Sequence, residues 1–138
     1  MKPGVSGVHI TENGVSKQVI LSKSVFNGTK KSIEKIVSGA YNRGHLTKTN
    51  KPAAHVVTHE LAHATWNEHL NSKKAISAGK QINKLYNKWD ADSKKSGYGS
   101  YAALNVSEFF AETTTKAIHG KSDKYTKNIK SIIKKYNL

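Results

Sequence analysis

The sequence predicts a small α+β domain, mostly helical, with a short β-hairpin near its N-terminus. Two β-prone runs, residues 5–10 and 17–21, flank an Asn13-Gly14 turn signal, a pattern typical of a hairpin. Most of the remaining chain spaces its apolar residues as helices do, between residues that start and stop helices. No linker or internal repeat divides the 138 residues, so we expect one domain over residues 1–138.

Five helices are predicted after the hairpin. Pro52 fits the first turn of the second helix, where its missing N–H costs nothing. The third helix carries one apolar stripe, made of Ile76, Ile82, Leu85, Tyr86 and Trp89. We expect Trp66 and Trp89 in the core rather than as platforms for nucleic-acid bases. The first helix is predicted between turn signals at 27–29 and 42–44. The next three helices are predicted over about residues 53–70, 73–95 and 105–118. The fifth is a short C-terminal helix that Ser122 or Asp123 caps.

The composition excludes some classes of site and suggests one class of partner. The chain has no cysteine, so a metal would need histidine or carboxylate ligands. Its 23 basic and 9 acidic residues give a formal net charge of +14, which attracts polyanions such as nucleic acid or an anionic envelope. Because Arg43 is the only arginine, solvated lysines that keep the chain soluble are the stronger interpretation, and a polyanion contact is the other. No apolar run approaches the ~20 residues that span a bilayer.

The motif that points to chemistry is His59-Glu60-Leu61-Ala62-His63, an H-E-x-x-H on a predicted helix. Four residues correspond to about 400° of helical rotation, so both imidazoles can reach one metal ion. Glu60 is turned about 100° from His59 and can accept a proton from water without binding the metal. The uncharged neighbours of the motif, in a lysine-rich chain, argue against an ordinary solvated helix face. The competing interpretation is a pair of core histidines beside a salt-bridged Glu60.

A catalytic zinc site needs a third protein ligand. His69 stands six positions after His63 but without the glycine that spaces the third zinc-binding histidine of metzincins, and His9, His45 and His119 have no ligand spacing. Residues 107–112, Ser-Glu-Phe-Phe-Ala-Glu, offer two carboxylates on one helix face, Glu108 and Glu112. These could instead be surface glutamates paired with lysines. His55, one turn before His59, is read as a packing residue or as a partner of a ligand, because a fourth protein ligand would close the site.

The HELAH motif and the downstream segment 101–112, Tyr-Ala-Ala-Leu-Asn-Val-Ser-Glu-Phe-Phe-Ala-Glu, together resemble one family of zinc peptidases. They are similar to the catalytic domain of anthrax lethal factor, to clostridial Pro-Pro endopeptidases and to metallopeptidase-like toxin domains attached to phage head proteins. The match covers about residues 52–118. The chain departs from the family after Glu112, where three threonines stand in place of apolar residues.

The resemblance implies a zincin-like fold and assigns residues to roles. Zn²⁺ would be held by His59, His63 and Glu108, and Glu60 would be the general base. The hydroxyl of Tyr101 would face the scissile carbonyl, and Glu112 would accept a hydrogen bond from a ligand histidine. The expected substrate is a protein or peptide in extended conformation, held beside an edge of the hairpin. We expect a monomer that is secreted or phage-encoded and virion-delivered, and the given N-terminus has no signal peptide.

Two other functions remain open on the sequence. The first is a non-enzymatic, zinc-braced module that binds polyanions through its lysines. Glu60 distinguishes this function from catalysis, because a structural zinc site needs no free carboxylate beside its ligands. The second is a phage- or toxin-associated effector domain with a peptidase-like fold, which differs in biology and not in chemistry.

Overall fold

The computed structural model describes residues 7–12, 15–21, 30–69, 73–92 and 97–138. Two strands, β1 (Gly7–Glu12) and β2 (Val15–Leu21), pair antiparallel, with an irregularity between Ile10 and Thr11. The predicted turn at Asn13-Gly14, the turn signal at 27–29 and residues 93–95 of the predicted third helix lie outside the described residues. The helices are α1 (Lys30–Asn42), α2 (Pro52–His69), α3 (Lys73–Ala91), α4 (Val106–His119) and α5 (Lys124–Tyr136), with a 3₁₀ helix (Ser100–Ala103) before α4.

Helix α4 is the centre of the described fold. It packs against α2, α3, α5 and the 3₁₀ helix, and every residue from 109 to 116 is buried. The helix begins at Asn105, whose side chain accepts a hydrogen bond from the backbone N–H of Glu108 at 2.8 Å. Such a cap pairs one of the N–H groups that a first turn leaves without a helical partner. Glu108 and Glu112 therefore project from the best-packed helix of the protein.

The described core is aromatic and aliphatic, and it lies on the helices. Trp89 is 2% exposed and lies in the core as predicted, while Trp66 is partly buried and packs against the core, with its ring centroid 5.5 Å from that of Phe110. Ile76, at the start of the apolar stripe on α3, is 54% exposed, so the stripe extends beyond the core. The core residues are Ala62, Ala78, Ile82, Leu85, Trp89, Ala102, Phe109, Phe110, Ala111, Tyr125, Ile129 and Ile132.

The predicted α+β class is wrong. Every residue of the described core lies on a helix, and the two strands form only a hairpin beside α2. A two-stranded hairpin is too small to make a layer of its own, so the fold class is helical over the described residues. None of the helices in the described ranges is both long enough and apolar enough to cross a membrane.

The loop after α1 holds the start of the 3₁₀ helix and the residue before it. Backbone N–H groups of Ser100 and Tyr101 donate to the carbonyls of Gly44 (2.7 Å) and His45 (3.1 Å). The N–H of Gly99 donates to the Thr47 hydroxyl at 2.9 Å. The two backbones are so close here that a Cβ on Gly99 would lie 2.3 Å from the His45 carbonyl oxygen. This contact fixes both segments beside α4.

Asp123 ties α5 to α4. Its carboxylate accepts hydrogen bonds from the backbone N–H groups of Tyr125 (2.9 Å) and Thr126 (2.8 Å), which begins α5 at the predicted cap. It also accepts from Lys116 Nζ at 2.9 Å and from the Tyr98 hydroxyl at 2.8 Å. Burial alone would raise the pKa of Asp123, but these donors lower it below the usual 3.8.

Candidate metal centre

Helices α2 and α4 lie side by side and bring together the residues that the sequence singled out. Glu108 Oε2 lies 3.1 Å from His59 Nε2, and Glu108 Oε1 lies 3.2 Å from His63 Nε2. The two Nε2 atoms are 3.1 Å apart. The one-turn spacing on α2 and the position of Glu108 in the first turn of α4 produce this convergence.

The spacing of these three donors fits a small cation. Ligands at ~2.0–2.1 Å from a tetrahedral zinc are about 3.3 Å from one another, close to the observed separations. The side chains of His59, His63 and Glu108 keep 10%, 14% and 25% of their surface exposed, so one side of the cluster faces solvent. Three protein donors with one open side are the arrangement of catalytic rather than structural zinc sites.

The outer nitrogen of each histidine already has a partner. His59 Nδ1 lies 3.1 Å from Glu112 Oε2, and His63 Nδ1 lies 2.9 Å from Ser107 Oγ. With Nδ1–H donated outwards, the lone pairs of both Nε2 atoms point into the space beside Glu108. Three basic atoms this close together need a positive charge between them, supplied by a proton or by a metal ion.

Without a metal, a proton on His59 supplies this charge. Burial alone would lower the pKa of His59, but the carboxylates of Glu108 and Glu112 raise it to about 10. Burial alone would raise the pKa of Glu108, but its contacts with His59 and His63 lower it to about 2. The cluster therefore favours a positive charge at this point, and a metal ion bound there would take the place of that proton.

Glu112 is a fully buried carboxylate that fixes the orientation of His59. Its Oε2 lies 3.1 Å from both His59 Nδ1 and His55 Nε2, and its Oε1 accepts from the Thr47 N–H at 2.9 Å. Burial would raise the pKa of Glu112, but its contacts with the two histidines keep it far below the usual value. An ionised carboxylate can only accept, so His59 must present Nδ1–H to it.

A hydrogen-bond chain extends behind Glu112, and the sequence did not reveal it. His55 is completely buried, and its Nδ1 lies 3.1 Å from the Tyr41 hydroxyl and 3.3 Å from the Thr49 hydroxyl. The two hydroxyls are 2.9 Å apart. The position of His55, one turn before His59, was the only signal for this chain. Tyr41, Thr47 and Thr49 come from α1 and its following loop, where no motif marks them.

His55, His59 and Glu112 also form a triad close enough to hold a metal. Two observations argue against a metal there. The carboxylate already accepts hydrogen bonds from two imidazole N–H groups and a backbone N–H, so its lone pairs are occupied. The side chains of His55 and Glu112 are also 0% exposed, which leaves no place for water or substrate. The outer triad of His59, His63 and Glu108 is therefore the better candidate.

Glu60 lies beside the outer triad and has no partner among the described residues. It is 8% exposed, and its carboxylate makes no hydrogen bond or ion pair with any residue in the described part of the chain. Burial raises the pKa of Glu60, while the nearby His59 and His63 lower it in part. A carboxylate of this kind is a stronger base than a solvated glutamate and is available to accept a proton.

Tyr101 is placed on the 3₁₀ helix, with its ring on His45. The two rings stack with centroids 6.0 Å apart, and Tyr101 is 38% exposed. Its hydroxyl makes no hydrogen bond within the described ranges, either to the triad or to another group, and is free to meet a ligand. Of the other histidines, His119 Nε2 lies 2.8 Å from the Thr58 hydroxyl, and the side chains of His9 and His69 lie outside what the structure describes.

Comparison of the chain with protein-family models, with curated proteins and with solved structures gave no match. The likeness to the lethal factor family therefore consists of the two motifs alone. The functional argument depends on the geometry of α2 and α4 and on the chemistry of the side chains between them.

Proposed function

We propose that this protein is a zinc-dependent metalloendopeptidase. One observation carries the proposal: two imidazole nitrogens and a carboxylate converge within 3.1–3.2 Å, and next to them lies the nearly buried Glu60, which no described residue pairs with. Two histidines and one glutamate, with an open side, are a donor set of zinc peptidases. Zinc held by His59, His63 and Glu108 would supply a Lewis acid that lowers the pKa of water and polarises a peptide carbonyl.

Glu60 is the proposed general base. It would take a proton from the attacking water as the oxygen of that water bonds to the carbonyl carbon. It would then return the proton to the amine nitrogen as the C–N bond breaks. His59 and His63 would stay in place through these steps, because Glu112 and Ser107 hold their outer nitrogens. The Tyr101 hydroxyl would donate a hydrogen bond to the carbonyl oxygen as that oxygen gains negative charge.

The proposed substrate is a protein or peptide segment in extended conformation. A carbonyl inside a helix already accepts a hydrogen bond and is covered by its own backbone, so an unfolded segment reaches the site more easily. The site faces solvent through the exposed part of Glu108, where such a segment could enter.

The test compares metal content and proteolysis in matched variants. Wild-type protein should bind one zinc per chain and cleave members of a peptide library. Glu60→Gln should keep the zinc and lose cleavage, and His63→Ala should lose both. The control is Glu34→Gln, the same chemical change on α1, where the side chain is 41% exposed and pairs only with Lys30. It should behave as wild type.

The same experiment separates the rival functions. Zinc binding without cleavage of any peptide would favour a zinc-braced module that is not an enzyme. Cleavage by Glu60→Gln at the wild-type rate would disprove the role of Glu60. Absence of zinc from the wild type, even after incubation with excess zinc, would overturn the metal site itself.

A further inference from the structure

A basic groove runs between α3 and α5, formed by a different pair of helices from the α2–α4 pair that holds the metal triad. These two helices pack against each other, and the groove between them has a volume of about 930 Å³. Its floor is apolar and buried, with Leu85 and Ile132 at 7% and 8% exposure. Its rims carry lysines from both helices. Neither the zinc chemistry nor the fold requires lysines at these positions.

The charge of the groove is strongly one-sided. Lys84 and Lys88 stand one turn apart on α3, and Lys124 and Lys135 line the opposite rim on α5. Asp92 is the one acidic residue of the lining, and Lys124 Nζ lies 3.1 Å from it. The lining therefore has three net positive charges. Lys84, Lys88 and Lys135 form no ion pair with residues that the structure describes.

Lysines arranged in this way repel one another. Like charges one turn apart destabilise a helix, and Lys80 continues the row of Lys84 and Lys88 on α3. Solubility alone would be served as well by lysines spread over separate faces. A concave row of unpaired ammonium groups instead concentrates the positive potential in one place, where an anionic polymer would relieve it.

The polar residues of the groove indicate the chemistry of the partner. Gln81, Asn128 and Ser131 add amide and hydroxyl groups next to the lysines, which suits phosphate and sugar oxygens. No arginine lines the groove, and its only aromatic residue, Tyr125, is 6% exposed. The described lining therefore offers no arginine for bidentate hydrogen bonds to bases and no exposed aromatic ring for bases to stack on. It would bind the backbone of a nucleic acid without recognising the base sequence.

We propose that the groove between α3 and α5 binds the phosphodiester backbone of a nucleic-acid strand, without sequence preference. The lining residues Lys124, Asn128, Ser131 and Lys135 recur on one face of α5 and extend about 16 Å along its axis. A linear polyanion matches this length and charge. A bilayer surface fits less well, because the apolar residues of the groove are on its floor and not on its rims.

The test measures binding of a labelled single-stranded oligonucleotide of about 12 nucleotides by fluorescence anisotropy over a range of salt concentrations. The groove variant is Lys84→Gln, Lys88→Gln and Lys135→Gln combined. Its matched control is Lys31→Gln, Lys35→Gln and Lys51→Gln, which removes the same charge from exposed positions elsewhere. Circular dichroism should show that both variants keep the wild-type helix content.

The groove variant should bind at least about tenfold more weakly than wild type, with a salt slope smaller by about two. The control variant should keep the wild-type slope and change affinity by less than about twofold. Equal losses in both variants would overturn the proposal in favour of a general field of charge. Failure of the wild type to bind at low salt would also overturn it, as would binding to phosphatidylglycerol vesicles but not to the oligonucleotide.

Discussion

His59 and Glu112 are joined by a buried contact of 3.1 Å between Nδ1 and Oε2, on the side of the imidazole that faces away from His63. The contact fixes two properties at once. It sets the plane of the ring, and it places the proton of a neutral His59 on Nδ1, leaving Nε2 to face Glu108. A histidine without this partner would spend part of its time with the wrong nitrogen protonated.

Glu112→Gln should weaken zinc binding by about 10–100-fold. The amide keeps the shape of the carboxylate but presents an N–H₂ group to one of the donors around it, His55, His59 or Thr47. Competition with a chelator of known zinc affinity measures the effect. Glu34→Gln on the surface of α1 serves as the control for loss of one negative charge. Unchanged zinc affinity in Glu112→Gln would show that Glu112 has no part in metal binding.

His55 should matter through the single N–H that it points at Glu112. His55→Leu removes this donor and leaves part of the buried carboxylate unpaired, so we expect both stability and zinc affinity to fall. His55→Gln can place its amide nitrogen near the position of Nε2 and should restore much of the zinc affinity. Equal zinc affinity in the two variants would mean that His55 acts by filling space.

The sequence was sufficient to predict that His59, His63 and Glu108 lie together with Glu60 beside them, because their signal is local. Two histidines one turn apart define a helix face, and the glutamate belongs to a capped helix with a strong apolar pattern. The partners of Glu112 could not be found in this way. Tyr41, Thr47 and Thr49 reach the site only through tertiary packing, and no spacing rule connects them with His55.

The error in fold class has a similar cause. The hairpin signal is a local one, and it does not tell whether further strands will join the pair. The apolar residues that decide the core, such as Trp89, Phe109 and Ile129, are all at helical spacing. Ile76 shows that helical spacing alone does not predict burial. The apolar stripe on α3 continues along the sequence to Ile76, but the rest of the core does not cover this end of the helix.

Tyr101→Phe should keep the zinc and the fold and should lower kcat by about 10²-fold, the effect of losing one oxyanion donor. KM should change little, since the hydroxyl would act on charge that develops during the reaction. Steady-state kinetics on a cleaved peptide from the library measures both constants. An unchanged kcat would leave Tyr101 with the structural role that its stacking on His45 already shows.

Asp123→Asn should reduce stability at neutral pH and have less effect in acid. The folded protein lowers the pKa of Asp123, so its contribution is fully present above the usual 3.8 and is lost as the pH falls through the lower folded value. Asparagine can still cap α5 but leaves the nearly buried Lys116 without its carboxylate.

Urea unfolding of wild type and Asp123→Asn, at about pH 7 and at several values below 4, measures this difference. Loss of zinc and protonation of other carboxylates affect both proteins alike, so the gap in unfolding free energy reports on Asp123. A gap that stays constant as the pH falls would mean that the charge of Asp123 contributes nothing to stability.

The two glycines Gly99 and Gly79 offer a matched pair of alanine substitutions with opposite expected signs. A Cβ on Gly99 would lie 2.3 Å from the His45 carbonyl oxygen and from the Leu46 carbonyl carbon, both of them backbone atoms. Gly99→Ala should therefore destabilise the protein by at least about 2 kcal/mol. Gly79 lies inside α3, and apart from the backbone of its own helix a Cβ there would have no atom of the described residues within 4 Å, so Gly79→Ala should stabilise by ~0.5–1 kcal/mol. Urea unfolding with a chelator present tests both.

Gly99→Ala should also weaken zinc binding, because moving the loop at residues 45–47 withdraws the Thr47 N–H from Glu112. A stable Gly99→Ala variant with wild-type zinc affinity would show that the loop and Glu112 are not coupled.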